Sequence, residues 1–222
     1  SQLSYENSKK FSLTTNNIFI SYSLVEHRWL AETGKAWTTD FLSKPLRIIS
    51  AGKHIWKKGF VYALEAMSQL NSKLSFEYGI IGGGDLTESK FHIQDLGLED
   101  VVTLKGQLGH DKTIQVIKEA DLFLLPSLQE GFATVVSEAM AVGTPVVCTN
   151  CSGMPELLEH RKNAWLVPPA DPKAIAEAIL DFYQTPKAKI SQITENARQL
   201  TKNNLVWEDQ IHNYTQLYQN AL

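Results

Sequence analysis

The sequence predicts an α/β domain: a Rossmann-like parallel sheet of about six strands, with helices on both faces and a helical C-terminal tail. Three observations carry this expectation. From Pro45 onward, short apolar runs alternate with longer stretches of helical spacing. Those runs are apolar throughout rather than at every second residue, as strands covered on both faces require. After Ile179 the pattern turns wholly helical, through Ala188–Lys202 and Val206–Leu222.

The elements follow in order. Residues 1–17 are polar, with Asn-Ser-Lys-Lys and Thr-Thr-Asn-Asn runs, and read as a linker or frayed terminus. Ile18–Leu24 has strand character, and Val25–Ser43 has no clean period. Residues 1–44 are therefore expected to connect, and residues 45–222 to form the domain. Leu46–Gly52 is a buried strand ending at glycine, and Lys58–Leu70 places Phe60, Ala63, Leu64, Met67 and Leu70 at helical intervals. Leu74–Ile81 is a second strand, closed by Gly82-Gly83-Gly84, and Leu86–Leu96 a helix stopped by Gly97. Strands at Val101–Leu104, Leu122–Leu125, Pro145–Cys148 and Ala164–Val167 alternate with helices over Asp111–Ala120, Phe132–Val142 and from Pro155 to Glu159. Asp171 before Pro172 is a helix start, because the carboxylate caps while proline supplies the first helical φ.

Composition limits what such a domain does. The 222 residues are 43% apolar and 20% charged, an ordinary globular mixture for one large domain with appendages. A net charge of −3 excludes a nucleic-acid binder working by bulk positive field, so no nucleic-acid partner is expected. The apolar runs fall far short of the ~18 residues of a spanning helix. No charged-then-apolar leader opens the chain, and two cysteines cannot build a disulfide framework. The expectation is a cytoplasmic domain, and the start at Ser1 suits a piece of a longer protein.

Parallel sheets of this kind bind ligands at the carboxyl ends of their strands, which singles out the loops there. After the first strand, Gly52-Lys53-His54-Ile55-Trp56-Lys57-Lys58-Gly59 sets three lysines within six residues, able to neutralise a phosphate or to form a plain solvated turn. After the second, Gly82-Gly83-Gly84-Asp85 lets backbone approach a ligand, yet Thr87 stands where a dinucleotide fingerprint needs its third glycine.

The loop after the fourth strand says most. Glu130 lies in it, and Glu138 about two turns into the following helix, on the order of 12 Å away at ~1.5 Å rise per residue. A nucleotide sugar is a rod of comparable length. One carboxylate can accept hydrogen bonds from hexose hydroxyls and the other from a ribose diol. Between them the amides of Gly131, Phe132, Ala133 and Thr134 open the helix and suit a diphosphate. The plainer alternative makes Glu130 a helix N-terminal charge and Glu138 a surface residue. Cys148-Thr-Asn-Cys151 is a C-x-x-C at a strand end, but nothing else supports dithiol chemistry, and two cysteines underfill a zinc site. The six histidines form no ligand-spaced pair; His54 and His110 fall on ligand-facing loops.

Several of these segments together resemble the C-terminal, donor-binding half of a GT-B retaining glycosyltransferase of group 1 (family 4). The family's E-x7-E reads Glu130-Gly-Phe-Ala-Thr-Val-Val-Ser-Glu138, continued by Glu138-Ala-Met-Ala-Val-Gly-Thr-Pro-Val-Val147. Gly153-Met-Pro-Glu156 and Leu166-Val-Pro-Pro-Ala-Asp-Pro172 match its later elements, and Trp56-Lys-Lys-Gly59 with Tyr62-Ala-Leu64 resembles an exopolysaccharide or colanic-acid-type branch. The resemblance implies sugar transfer from a nucleoside-diphosphate sugar to a saccharide or lipid-linked acceptor, with retention and without a metal or other cofactor. It implies catalytic parts for Lys58 and Glu130, and donor contacts from Lys53, from Gly131 to Thr134 and from Glu138. The family commonly has arginine where Lys53 stands, so a bidentate fork is replaced by a single contact.

A full enzyme of this family has two Rossmann-like domains, and only one is expected here. The acceptor-side N-terminal domain is the implied missing partner, with Val206–Leu222 crossing back to it, and the inner membrane face is an implied location of the whole protein. Three other readings stand beside this one: a non-catalytic nucleotide-sugar-binding subunit, an NAD-dependent oxidoreductase lacking its fingerprint, and a GT-B epimerase.

Overall fold

Each of the six apolar runs is a strand: β1 (Leu46–Ala51), β2 (Phe76–Ile81), β3 (Val102–Gly106), β4 (Leu122–Leu125), β5 (Val146–Thr149) and β6 (Trp165–Val167). The structure is a computed structural model and describes residues 24–30, 44–208 and 211. All neighbouring strands pair in parallel, in the order β3-β2-β1-β4-β5-β6. This is the doubly wound Rossmann order, with its switch point between β1 and β4.

Side chains of β1 and β4 divide between two apolar clusters. Leu46, Ile48, Leu122 and Leu124 join one, while Ile49, Ala51, Phe123 and Leu125 join the other. Period-2 alternation with both phases apolar is what a sheet covered on both sides demands. On the first side lie α1 (Phe60–Leu70), α2 (Thr87–Asp95) and α5 (Pro172–Gln184); on the second lie α3 (His110–Glu119) and α4 (Thr134–Ala141), while α6 (Lys187–Asn204) runs from the first cluster, through Ile190 and Ile193, to the second, through Ala197 and Leu200. The edge strand β3 breaks the pattern, leaving Thr103 and Lys105 exposed. A lysine there discourages further strand pairing.

The helix signals act as read. Asp171 Oδ1 accepts from Ala174 N–H (2.9 Å) with Pro172 in the first helical position. Gly97 ends α2 with φ 62°, and Leu98 N–H returns to Ile93 C=O (2.9 Å). One helix shrinks: Pro155–Glu159 holds only a 3-10 turn, Met154–Glu156. Met154 and Leu158 join the second cluster, and the turn stops where Leu157 leaves helical φ (−122°) and Glu159 N–H donates to Asn163 Oδ1 (2.8 Å). Ile18–Ser23, residues 31–43 and most of Val206–Leu222 lie outside the described residues; Leu24 carries no regular structure, and Trp207, Glu208 and Ile211 are helical.

A small clamp joins the two ends of the described chain. Val25 N–H donates to Leu205 C=O (2.8 Å) and Val25 C=O accepts from Trp207 N–H (2.9 Å). Val25 and Val206 form a parallel bridge and are buried with Ala141.

Candidate active site

The loops at the strands' carboxyl ends are stitched to one another, which fixes the site before any ligand arrives. The turn after β1 holds Trp56–Lys58 in a 3-10 helix, closed by Gly59 at φ 64°. Only glycine fits there, since a Cβ would run into the Pro126 carbonyl. Lys57 C=O then accepts from Leu128 N–H (2.8 Å), binding the β1 turn to the loop after β4. On the other flank, Gly153 N–H donates to Gly131 C=O (3.1 Å), and Thr149 Oγ1 donates to Ser127 C=O (2.5 Å).

Glu130 stands in the middle of this stitching. Its Oε1 accepts from Lys58 Nζ and from Ser127 Oγ (2.9 Å). Both partners of the ion pair are largely shielded, with side-chain exposures of 15% for Lys58 and 11% for Glu130. The Lys58 stem crosses Gly52, where an added Cβ would lie 3.2 Å from Cε. Two residues far apart in sequence thus meet at the mouth of α4. That helix starts without a side-chain cap, so its positive end remains directed at the loop. Gly131 and Thr134 are exposed, whereas the Phe132 and Ala133 side chains turn into the second apolar cluster. Those two can therefore contribute backbone only.

Glu138 sits in the second turn of α4 and is 8% exposed, which excludes the surface alternative. A buried carboxylate needs a partner, and His110 Nε2 donates to its Oε1 (2.8 Å) from the start of α3. Trp29 packs edge-on against His110 (ring centroids 5.9 Å), with Arg28 over the indole (4.5 Å) and paired to Asp111 (3.3 Å). The indole Nε1 of Trp29 is buried without a partner among the described residues.

Lys53 is exposed and lines a cleft of about 440 Å³ with Gly52, which the Lys58 stem crosses, and with Gly82, Gly83, Gly84 and Gln107. The glycines allow this close approach: Gly52 N–H donates to Ile81 C=O (2.9 Å), Gly82 N–H to Gly106 C=O (2.8 Å), and His54 N–H to Gly83 C=O (2.8 Å). The expected residues thus form three groups: the Lys58–Glu130 pair with the α4 entrance, Glu138 with His110, and Lys53 in the glycine cleft. Sequence reasoning missed Ser127 and Trp29. Ser127 carries a faint signal, a hydroxyl three residues before Glu130, while nothing marks Trp29. The C-x-x-C holds no disulfide: Cys148 lies inside β5, both cysteines are buried, and burial pushes the Cys148 thiol pKa far up. Among the described residues, no group of three or more His, Cys, Asp or Glu is placed to hold a metal ion. Nor is any helix among them long and apolar enough to cross a membrane.

A doubly wound parallel sheet with acidic, basic and glycine-rich loops at its carboxyl edge defines a Rossmann-like ligand-binding domain. The chain belongs to the family of glycosyl transferases group 1, whose model matches residues 36–200. It is 44% identical over 153 residues to the amylovoran biosynthesis glycosyltransferase AmsK of Erwinia amylovora, covering 65% of this chain and 38% of that protein. With the putative colanic acid biosynthesis glycosyltransferase WcaL of Escherichia coli (strain K12) the identity is 38% over 163 residues, covering 70% of this chain and 40% of WcaL. The chain thus spans about two fifths of the length of these relatives. The crystal structure of Anabaena Alr3699/HepE in complex with UDP-glucose shares its fold, with TM-score 0.71 and 23% identity over 81% of this chain and 49% of that one. None of these matches supports the oxidoreductase alternative.

Proposed function

We propose that this chain is the donor-binding half of a retaining glycosyltransferase that passes a sugar from a nucleoside-diphosphate sugar to a saccharide or lipid-linked acceptor. Lys58 and Lys53 contact the diphosphate, joined by the amides from Gly131 to Thr134 at the head of α4. Glu130 holds hydroxyls of the transferred sugar, and Glu138, steadied by His110, accepts from the ribose diol. Cleaving the bond between the anomeric carbon and the phosphate oxygen leaves an extra negative charge on the nucleoside diphosphate. Lysines and a helix N-terminus stabilise that charge. Residues 45–222 are the donor domain, residues 1–44 lead in from an N-terminal domain, and the last helix crosses back to it. The whole enzyme works on the cytoplasmic side, at the inner membrane face.

The single observation that carries this reading is the meeting of Lys58 and Glu130 at the uncapped start of the helix that also bears Glu138. Its share of the relatives' length supports the half-enzyme part, and with it the expectation that the chain alone binds donor weakly and transfers little. A thermal-shift series with UDP-, GDP- and ADP-sugars tests it on wild type and Glu138→Ala. One nucleotide class raises the melting temperature of wild type, and the variant loses most of that rise. An equal rise in both would overturn the ribose assignment, and robust transfer by these 222 residues alone would overturn the half-enzyme reading.

A further inference from the structure

Beside the Lys58–Glu130 pair, between the starts of α1 and α2, lies a second pocket of about 340 Å³. This is within the usual range for small-molecule sites, about 300–1,000 Å³. Leu128, two residues before Glu130, and Trp56, two before Lys58, both line it, so it adjoins the end of the site assigned to the transferred sugar. Three features set it apart from an ordinary surface dent.

Trp56 is 69% exposed although it belongs to a turn fixed at both ends. With the exposed Ile55 beside it in the lining, it gives the pocket an apolar edge that a flat apolar ligand face can cover. Glu65, Asp85 and Glu88 ring the same pocket. Among the described residues Glu65 and Glu88 have no ion-pair partner, and Asp85 uses only Oδ1, on Thr87 N–H (2.9 Å) and Thr87 Oγ1 (2.6 Å). Finally, His54 is 7% exposed and lines the pocket with a ring nitrogen left over. Its Nδ1 is shared with Ser89 Oγ (2.9 Å), while Nε2 is buried with no partner. A buried polar atom without a partner is costly, and a ligand hydroxyl would supply what it lacks.

A pyranose matches each feature. Its C–H face is flat and apolar and suits an indole, while its hydroxyl rim donates to carboxylates and exchanges a hydrogen bond with imidazole. No lysine or arginine lines the pocket, and three carboxylates repel an anionic sugar, so the fitting unit is neutral. We propose that this pocket is a second saccharide site, which takes a neutral glycosyl unit of the acceptor chain next to the reacting end. The identity of that unit as acceptor rests on the donor-site reading above; the binding of saccharide here does not.

The test follows the Trp56 indole N–H resonance of the full 222-residue chain during titration with methyl α-glucoside, methyl α-galactoside and methyl α-mannoside. A saturable shift is expected with at least one of them, unchanged by saturating UDP. Glu88→Gln is expected to weaken it, and methyl α-glucuronide to fail. For Trp56→Ala, the glycoside-induced shifts of neighbouring amides weaken by about tenfold or more in affinity. Phe91→Ala, which removes another exposed aromatic outside the pocket, leaves the titration as in wild type. No saturable shift, an affinity left unchanged by Trp56→Ala, or a shift matched by tetramethylammonium would each overturn the proposal. Failure of wild type to bind any of the UDP-, GDP- and ADP-sugars would instead count against the donor reading, because the glycoside titration does not pass through that site.

Discussion

Replacing Lys58 by methionine separates what the Lys58–Glu130 pair does for the fold from what it does for a ligand. The Glu130 carboxylate is left with Ser127 Oγ at 2.9 Å as its one remaining side-chain donor among the described residues, while only 11% of its side chain's surface meets water. A charge-assisted hydrogen bond lost in such surroundings costs about 1.5–3 kcal/mol, and the residual exposure favours about 2. For a chain of this size that is a fall in Tm of about 4–8 °C. The double variant Lys58→Met with Glu130→Gln removes both charges, so most of the stability returns. Binding does not return, because the diphosphate has lost its cation. A contact of about 1.5–3 kcal/mol corresponds to about 10- to 100-fold in Kd. At a nucleotide-sugar concentration near 100 Kd of wild type, ligand stabilisation then drops from about 2.7 kcal/mol to about 1.4 or less. Differential scanning fluorimetry with and without nucleotide sugar reads both quantities in one experiment. A double variant that recovers binding together with stability would refute the ligand role. So would a single variant whose Tm falls while its ligand-induced rise is undiminished.

Other perturbations have equally definite outcomes. Gly59→Ala forces a left-handed residue and drives a methyl group at the Pro126 carbonyl, so chemical denaturation should show a loss of more than about 2 kcal/mol. His110→Ala strips Glu138 of its 2.8 Å donor and should weaken nucleotide-sugar binding measured by calorimetry, with a smaller effect for His110→Gln. Burial lowers the His54 pKa below its ordinary 6.5. The unfolded chain therefore binds the extra proton first, and stability falls as pH drops from 6.5 through the depressed folded value. His54→Phe should flatten that slope in urea titrations at stepped pH. Cys148 and Cys151 should resist thiol reagents in the native state and react only on unfolding, at a rate that reports opening of β5.

How far the sequence leads depends on the range of the interaction concerned. The inner strands are legible because a strand buried on both faces writes itself as a largely apolar run, the edge strand β3 shows only through Val101, Val102 and Leu104, and Asp171-Pro172 and Gly97 mark helix ends through strictly local chemistry. The Glu130–Glu138 spacing is legible for the same reason, being set within one loop and one helix. Contacts across the chain are not. Nothing near Lys58 announces that it reaches a carboxylate 72 positions away, nor near His110 that it holds one 28 positions away. Both depend on the β1–β4 adjacency at the switch point and on stitching by backbone groups, which carries no side-chain signature. The helix expected from Pro155 to Glu159 stops short because the Asn163 side chain takes Glu159 N–H and Leu157 C=O, a contact from further along the chain. Trp29 lies in the segment with no period, and only its packing on His110 ties it to the site.

The bridge between Val25 and Val206 gives this domain a mechanical character. The two ends of the described chain are held together at one spot, away from the six strands. Pulling the two ends apart loads a pair of backbone hydrogen bonds in shear before any force reaches the sheet.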